Sequence, residues 1–447
     1  MSRLTLDDTV RRFEEKFEVS AQISDTGKRY IPGGYSRTSV TFGSHAVYAD
    51  RGEGQYLYTA DGHRMLDLHN NFTVNVTGHN HPHVEEALID AVRQGYSFAN
   101  PVRREHELAK MLCDRIDAVE RIVFSCSASE SCMTAIRIAR ANTGRPKIAK
   151  LEGGYHGFAD EFMISVHPSA AQFPGTAADP LPDPNTKGMY PQVRDNVLVL
   201  PQNDLESCTR ILSAQAGDVA CVILELMTGA GGPMVLEADF VRGLRQVTRE
   251  LGILMIIDET VTVRSSIGGM QAEYAADPDL TVLGKAIGGG LPLGAVGGKE
   301  ELFRCLENGQ VHHSGTHHGH PLATAAGIAN LEVMDESVCE RLNRQGEFVI
   351  STLNQWAGEQ EHLFDVYGTG SLIAYVFPNQ PGREFRSCRD LAAYTHEERM
   401  DTFAFEMATR DIYVLERGTM SLSEPMTDAN IDTIIDNTRD VVRQILA

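Results

Sequence analysis

Residues 220–259 read ACVILELMTGAGGPMVLEADFVRGLRQVTRELGILMIIDE. The stretch opens on a continuous apolar run, ACVIL, and closes on five aliphatic residues, ILMII (253–257). Between them DFVRGLRQVTRELG (239–252) has the pattern of an amphipathic helix. A helix between two buried strands is a βαβ unit, and βαβ units build parallel sheets with helices on their faces. Upstream, RIVFS (121–125) followed by ESCMTAIRIARA (130–141) repeats the alternation. The fold class predicted is therefore α/β, with a mostly parallel central sheet.

Outside this core the pattern changes. HPHVEEALIDAVRQGY (81–96) sets Val84, Leu88, Ala91 and Val92 at helical spacing, and 105–116 does the same with Leu108, Met111 and Leu112. From about 321 the chain reads as α+β. It ends in TDANIDTIIDNTRDVVRQIL (427–446), with Thr427 as N-cap and Ile431, Ile434, Ile435, Val442 and Ile445 on one face. These patterns predict a large α/β domain over 61–320. A smaller domain is expected from 321–447, joined by the N-terminal segment 1–60. Residues 165–194 hold six of the 18 prolines and no periodicity, the mark of a functional or mobile loop.

Composition excludes several classes. The 447 residues exceed one small domain, and 40 basic against 61 acidic residues give a net charge of −21. That surface repels phosphate backbones, so nucleic acid is not an expected partner. Eight cysteines without a CxxC pair do not make a disulfide framework or a zinc ribbon. The charged N-terminus lacks an apolar h-region, and ILMII falls far short of the ~20 residues that span a bilayer. A soluble, cytoplasmic protein without membrane partners is expected.

TVLGKAIGGGLPLGA (281–295) poses a chemical question, because it places one cation, Lys285, among glycines and apolar residues. Lysine is rarely fully buried unless paired. Strand ILMII ends in Asp258, and open α/β sheets bind ligands at the carboxyl ends of their strands. FSCSASES (124–131) runs from strand into helix, so Ser127, Ala128 and Ser129 present backbone N–H groups and two hydroxyls at a helix N-terminus. EGGYHG (152–157) puts the aromatic Tyr155 after two glycines. Taken singly, these are a surface lysine, a turn-capping acid, an N-cap and a turn tyrosine. Taken together, they match one cofactor. Pyridoxal phosphate needs a lysine, an acid for its ring nitrogen, an aromatic to stack on the ring and a cup for its phosphate.

The order and wording of GEGQYLYTADGHRMLDL, GHNHPHVEEAL, SASESCMTAIRIAR, GGYHGFAD, ILMIIDE, DLTVLGKAIGGGLPLGAVGG and HSGT resemble the class III pyridoxal-phosphate aminotransferases. The resemblance covers the chain from about residue 29 onward. It is nearest to the β-amino-acid (β-phenylalanine type) transaminases and glutamate-1-semialdehyde aminomutase. It implies the fold type I transferase architecture, with Lys285 as the Schiff-base lysine, Asp258 as pyridinium partner and Tyr155 as stacking ring. It also implies that Ser127, Ala128 and Ser129 form the phosphate cup, with His156 and Glu225 as further cofactor contacts. Thr316 would reach the phosphate of a neighbouring subunit's cofactor, across a homodimer with shared sites. Four positions depart from the family wording: Ser127-Ala128-Ser129 replaces Ser-Gly-Thr, Glu225-Leu226 replaces Glu-Pro, and Ala230 stands at the aminomutase asparagine.

Histidine clusters in GHNHPH (78–83) and HHSGTHHGH (312–320) lack CxxC or HExxH companions, so no metal is expected. His317 and His318 are candidates for the substrate pocket. Arginine holds carboxylates best through its planar fork. Two arginines match the β-amino-acid group: Arg37 in PGGYSRTSVTF and Arg417 in IYVLERGTMSLS. The expected reaction moves an amino group from a β-amino or similar carboxylate donor to 2-oxoglutarate or pyruvate. The alternatives are the aminomutase reaction, a racemase or decarboxylase on the same scaffold, and a catalytically silent cofactor- or partner-binding protein.

Overall fold

A computed structural model describes residues 3–41, 43–167, 173–414 and 418–447. The chain forms two compact units. The larger comprises Pro82–Glu340 with Glu384–Ala393, and the smaller Met1–His81, Arg341–Arg383 and Tyr394–Ala447. The sequence pattern set these divisions at 60/61 and 320/321. They differ because strands Ala49–Glu53, Tyr56–Thr59 and Arg64–Asp67 pair within the smaller unit, while helix Pro321–Val333 packs within the larger.

The large unit carries a seven-stranded sheet of β1 (Arg121–Ser125), β2 (Lys147–Leu151), β3 (Val197–Leu200), β4 (Val219–Leu224), β5 (Leu254–Asp258), β6 (Leu280–Leu283) and β7 (Gly294–Gly298). Their spatial order is β1-β7-β6-β5-β4-β2-β3. Strands β6, β5, β4, β2 and β3 are parallel, and β7 alone opposes both of its neighbours. Helices α1 (Pro82–Gln94), α2 (Arg103–Arg115), α3 (Ala128–Thr143), α4 (Leu205–Ala214), α5 (Ala238–Leu251), α6 (Glu300–Glu307) and α7 (Pro321–Val333) complete the frame.

The unbroken apolar strands are explained by burial on both faces. Ile148, Cys221, Ile223 and Ile256 pack with Cys132, Ala135, Ile136 and Ala139 of α3. The alternate residues Ala149, Val222, Leu224, Met255 and Ile257 pack with Leu212 of α4 and Phe240, Val241 and Leu244 of α5. Period-two alternation thus feeds two cores. Helix α1 departs from expectation at Val92, which is 50% exposed rather than part of the buried face. Its contact with α7 runs through Val84, Ala87 and Leu88 against Ala326 and Ala329, and leaves Ile89 and Val92 outside.

At the N-terminal edge of the sheet, Asp279 accepts two hydrogen bonds from Arg245 of α5 (2.6 and 2.8 Å), one from Lys299 (3.1 Å) and one from the Met255 N–H (2.8 Å). Burial would raise the Asp279 pKa, but these donors outweigh it and hold the carboxyl below its usual range. The segment Glu384–Ala393 returns to the large unit through Arg389, whose guanidinium grips Glu152 with two bonds of 2.7 and 2.9 Å.

The small unit holds a four-stranded sheet, in which Ile412–Tyr413 pairs with Arg64–Asp67, and a three-stranded sheet of Asp365–Thr369, Leu372–Val376 and Thr419–Ser421. Its last helix, Asp428–Leu446, begins with a capping box of Thr427 and Asn430 and buries Ile431, Ile434, Ile435, Val442 and Ile445 as expected. Among the described residues no helix is long and apolar enough to cross a membrane. The proline-rich stretch contains a two-strand ribbon (Gly175–Thr176 with Asp179–Pro180) and a 3-10 turn at Pro191–Asn196.

Candidate active site

The C-terminal edge of the sheet gathers charges that the N-terminal edge would have paired. Asp258, the last residue of β5, is 3% exposed and accepts bonds from Thr260 N (3.1 Å), Thr260 Oγ1 (2.5 Å) and His156 Nδ1 (2.9 Å). Burial pushes its pKa up, but His156 and Thr260 outweigh burial, and the carboxyl lies below its ordinary value. For His156 burial wins over the Asp258 contact and lowers the pKa, so the ring is neutral. Its Nε2 is buried with no hydrogen-bond partner among the described residues.

Glu225 follows β4. One of its oxygens accepts the Tyr155 N–H at 2.8 Å, which ties the turn after β2 to the end of β4. Burial, reinforced by the Asp258 charge, pushes Glu225 up to about 8. The carboxyl is therefore mostly protonated at neutral pH. Tyr155 itself is 37% exposed.

Lys285 lies two residues beyond β6 with φ of +51°, a left-handed conformation that costs a β-carbon residue about 1–2 kcal/mol. Burial lowers its pKa. Glu225 and Asp258 pull the value back up, and the charge of buried Arg264 pushes it further down. The lysine is thus held closer to its neutral form than a surface lysine.

The turn into α3 fits beside it. Ser127 caps the helix by accepting the Glu130 N–H. Gly284 and Gly294 let backbone approach this turn. A Cβ on Gly284 would lie 2.9 Å from Cβ of Ala128, and one on Gly294 would lie 2.2 Å from the Ser127 carbonyl. The methyl that Ala128 adds to the family's usual cup is therefore seated on the bare face of Gly284.

Thr316 sits on the exposed loop between α6 and α7 and lines an open cleft of about 860 Å³ with Tyr96, Phe98, Glu105, His317 and His320. Arg37 belongs to the small unit. Its Nη1 donates to Asn71 Oδ1 (2.7 Å) and its guanidinium lies 5.8 Å from the centre of the Phe72 ring. Those partners sit on a turn, Asn70–Thr73, in which all four residues have positive φ, from 48° to 71°. Arg417 falls outside the described residues.

Sequence reasoning missed two cations. Lys150 is fully buried in β2, donates to the Ile164 carbonyl (2.6 Å) and is lowered by burial to about 8. Arg264, 1% exposed, is lowered by burial to about 10. KIAKL reads as a short strand with a lysine near each end, and Arg264 stands in a polar turn. The one available signal was Lys150 itself, a cation in a strand whose neighbours are apolar.

The family model "Aminotransferase class-III" matches residues 39–440. The chain is 36% identical over 376 residues to a glutamate-1-semialdehyde 2,1-aminomutase of Syntrophomonas wolfei, covering 83% of this chain and 85% of that one. Among solved structures, an omega-transaminase from Sphaerobacter thermophilus superposes with a TM-score of 0.90 at 32% identity, covering 96% of this chain and 98% of that one. A β-phenylalanine aminotransferase from Variovorax paradoxus gives 0.88 at 31%, with 98% and 96% covered.

Proposed function

The chain belongs to the class III aminotransferases, and on that premise we propose that it moves an amino group from a β-amino acid to an α-keto acid such as 2-oxoglutarate or pyruvate. It is an enzyme that depends on pyridoxal 5′-phosphate. Bound, that cofactor supplies an electron sink for charge at the carbon bearing the transferred nitrogen.

The residues described fit such a group. Lys285, with its lowered pKa, is the amine that attaches the cofactor and moves the substrate proton. Asp258, kept ionised by His156 and Thr260, is the counter-charge for a protonated ring nitrogen. The Ser127–Ala128–Ser129 turn, at the start of a 16-residue helix, takes the phosphate. Glu225 orients Tyr155 against the ring through its backbone N–H, and its own proton makes it a donor toward the cofactor edge. The working unit is a homodimer in which Thr316 serves the neighbouring site. The exposed Ile89, Val92, Tyr96 and Phe98 support a covered face on the large unit.

The donor class rests on Arg37. Asn71 engages Nη1 of its guanidinium from a strained turn, and Nη2 and Nε are the donors we assign to a carboxylate. The likeness to a β-phenylalanine aminotransferase supports the same reading. The aminomutase reaction is the second reading, supported by the names of the curated relatives. A half-reaction separates the two. If β-amino acids bleach the cofactor's visible band and 2-oxoglutarate or pyruvate restores it, the transaminase reading stands. Bleaching only by 4,5-diaminovalerate, or turnover of glutamate semialdehyde, would replace it with the aminomutase.

A further inference from the structure

A second set of metal-ligating side chains converges in the large unit, apart from the Asp258 cluster. Cys126, Glu130 and His318 bring a thiol sulfur, a carboxylate oxygen and an imidazole nitrogen within 4.8 Å of one another. Each is held there by the fold. The Cys126 N–H donates to Glu130 Oε2 at 2.7 Å, which turns that carboxylate back over the end of β1 toward the thiol. His318 reaches the pair from the loop between α6 and α7, where Gly315 makes room for its ring. A Cβ on Gly315 would fall 2.3 Å from His318 Nε2.

The imidazole is in an unusual state for a half-buried histidine. Its Nδ1 is buried with no hydrogen-bond partner among the described residues. Its Nε2 stands 3.8 Å from Glu130 Oε2, beyond hydrogen-bond reach. Among the described residues no protein hydrogen bond competes for either ring nitrogen, and the ring lies within 4.8 Å of the carboxylate and the thiol.

We propose that Cys126, Glu130 and His318 form a binding site for a divalent transition-metal ion of zinc's class. Zinc takes sulfur at about 2.3 Å and nitrogen or oxygen at about 2.0–2.2 Å, which sets tetrahedral donors about 3.3–3.8 Å apart. The His318–Glu130 separation already meets that, and rotation of Cys126 about its Cα–Cβ bond closes the rest. Three protein ligands leave a fourth position for water. Binding displaces the thiol proton to solvent and forms the metal–thiolate bond. Because Cys126 and Glu130 flank Ser127–Ala128–Ser129, an ion here clamps the turn from both sides. The site itself stands on this geometry alone and not on the proposed reaction.

The test uses the full chain with its cofactor, stripped of metal by EDTA. Calorimetric titration with zinc should show one tight site per chain. Cys126→Ser and His318→Gln should each weaken it at least about tenfold, since even outer-sphere substitutions cost that much. On the unmodified protein, zinc should protect Cys126 from iodoacetamide. Cys113, the other partly exposed cysteine, should react at an unchanged rate. This second measurement decides the matter should either variant fail to fold. Equal alkylation of Cys126 with and without zinc would overturn the site. So would zinc affinity that survives both substitutions, or that is lost only in a His317→Gln/His320→Gln variant.

Discussion

The two edges of the central sheet treat buried charge in opposite ways. At the N-terminal edge, Asp279 meets Arg245 and Lys299 at hydrogen-bond distance, and its pKa falls. At the C-terminal edge, Glu225 and Asp258 repel one another, Lys285 sits on a left-handed backbone, and one nitrogen of His156 is orphaned. The first edge is arranged to hold the fold together. The second keeps a repulsion that the Glu225 proton eases and a left-handed backbone at Lys285, as expected where stability yields to function.

That contrast predicts which substitutions damage which property. Lys285→Ala should lower kcat by at least about 10³-fold, the scale of a lost proton-transfer group, while the melting temperature holds or rises. Near-normal turnover would remove Lys285 from the chemistry. Arg245→Met should do the reverse. Asp279 keeps Lys299 and the Met255 N–H, so losing its two Arg245 bonds costs about 1.5–3 kcal/mol in denaturant unfolding, with kcat unchanged in the molecules that remain folded. Arg37→Ala should cut kcat/KM for carboxylate donors by about ten- to a hundredfold, from about 1.5–3 kcal/mol of charge-assisted hydrogen bonding. Simple amines should be spared, and an equal loss on both would take Arg37 out of the pocket. Gly284→Ala should weaken cofactor retention by about 1–3 kcal/mol, and Ala128→Gly in the same chain should recover most of it.

The smallest effect concerns pH. Burial raises Glu225 from its ordinary 4.5 to about 8, so the folded chain keeps a proton that the unfolded chain releases. The stability this contributes is full below about 4.5 and is lost as pH rises through about 8. Glu225→Gln should therefore flatten the fall in melting temperature between about pH 6 and 8. An unchanged slope would place that proton elsewhere, with Glu259, raised by burial to about 7, as the next group to replace.

Much of this was legible from residues close in sequence. The strand–helix–strand period of 220–259 marks the parallel core, and Asp258 follows from its position at a strand's end. The reversed direction of β7 was not legible. GAVGG is glycine-rich and buried throughout, so its pattern is the same read either way. Nor was the state of Val92, because helical spacing assigns a face without saying how wide the covering surface is. Lys150 was hidden because it stands one residue from the end of a short strand, where a lysine ordinarily reaches solvent. The charge balance at the C-terminal edge depends on groups 27 to 102 residues apart, from Asp258 with Lys285 to His156 with Asp258, and no local pattern encodes it.

The return of Glu384–Ala393 to the large unit bears on how the chain is made. Glu152 is 3% exposed and its paired cation is Arg389, which leaves the ribosome long after the seven strands have done so. Through most of synthesis the nascent large unit carries Glu152 without its counterion. A domain that would otherwise fold as soon as it emerges is thereby kept unfinished until nearly the whole polypeptide exists. Premature release of a chain stopped before residue 384 would yield a sheet without its latch, a natural target for proteolytic clearance.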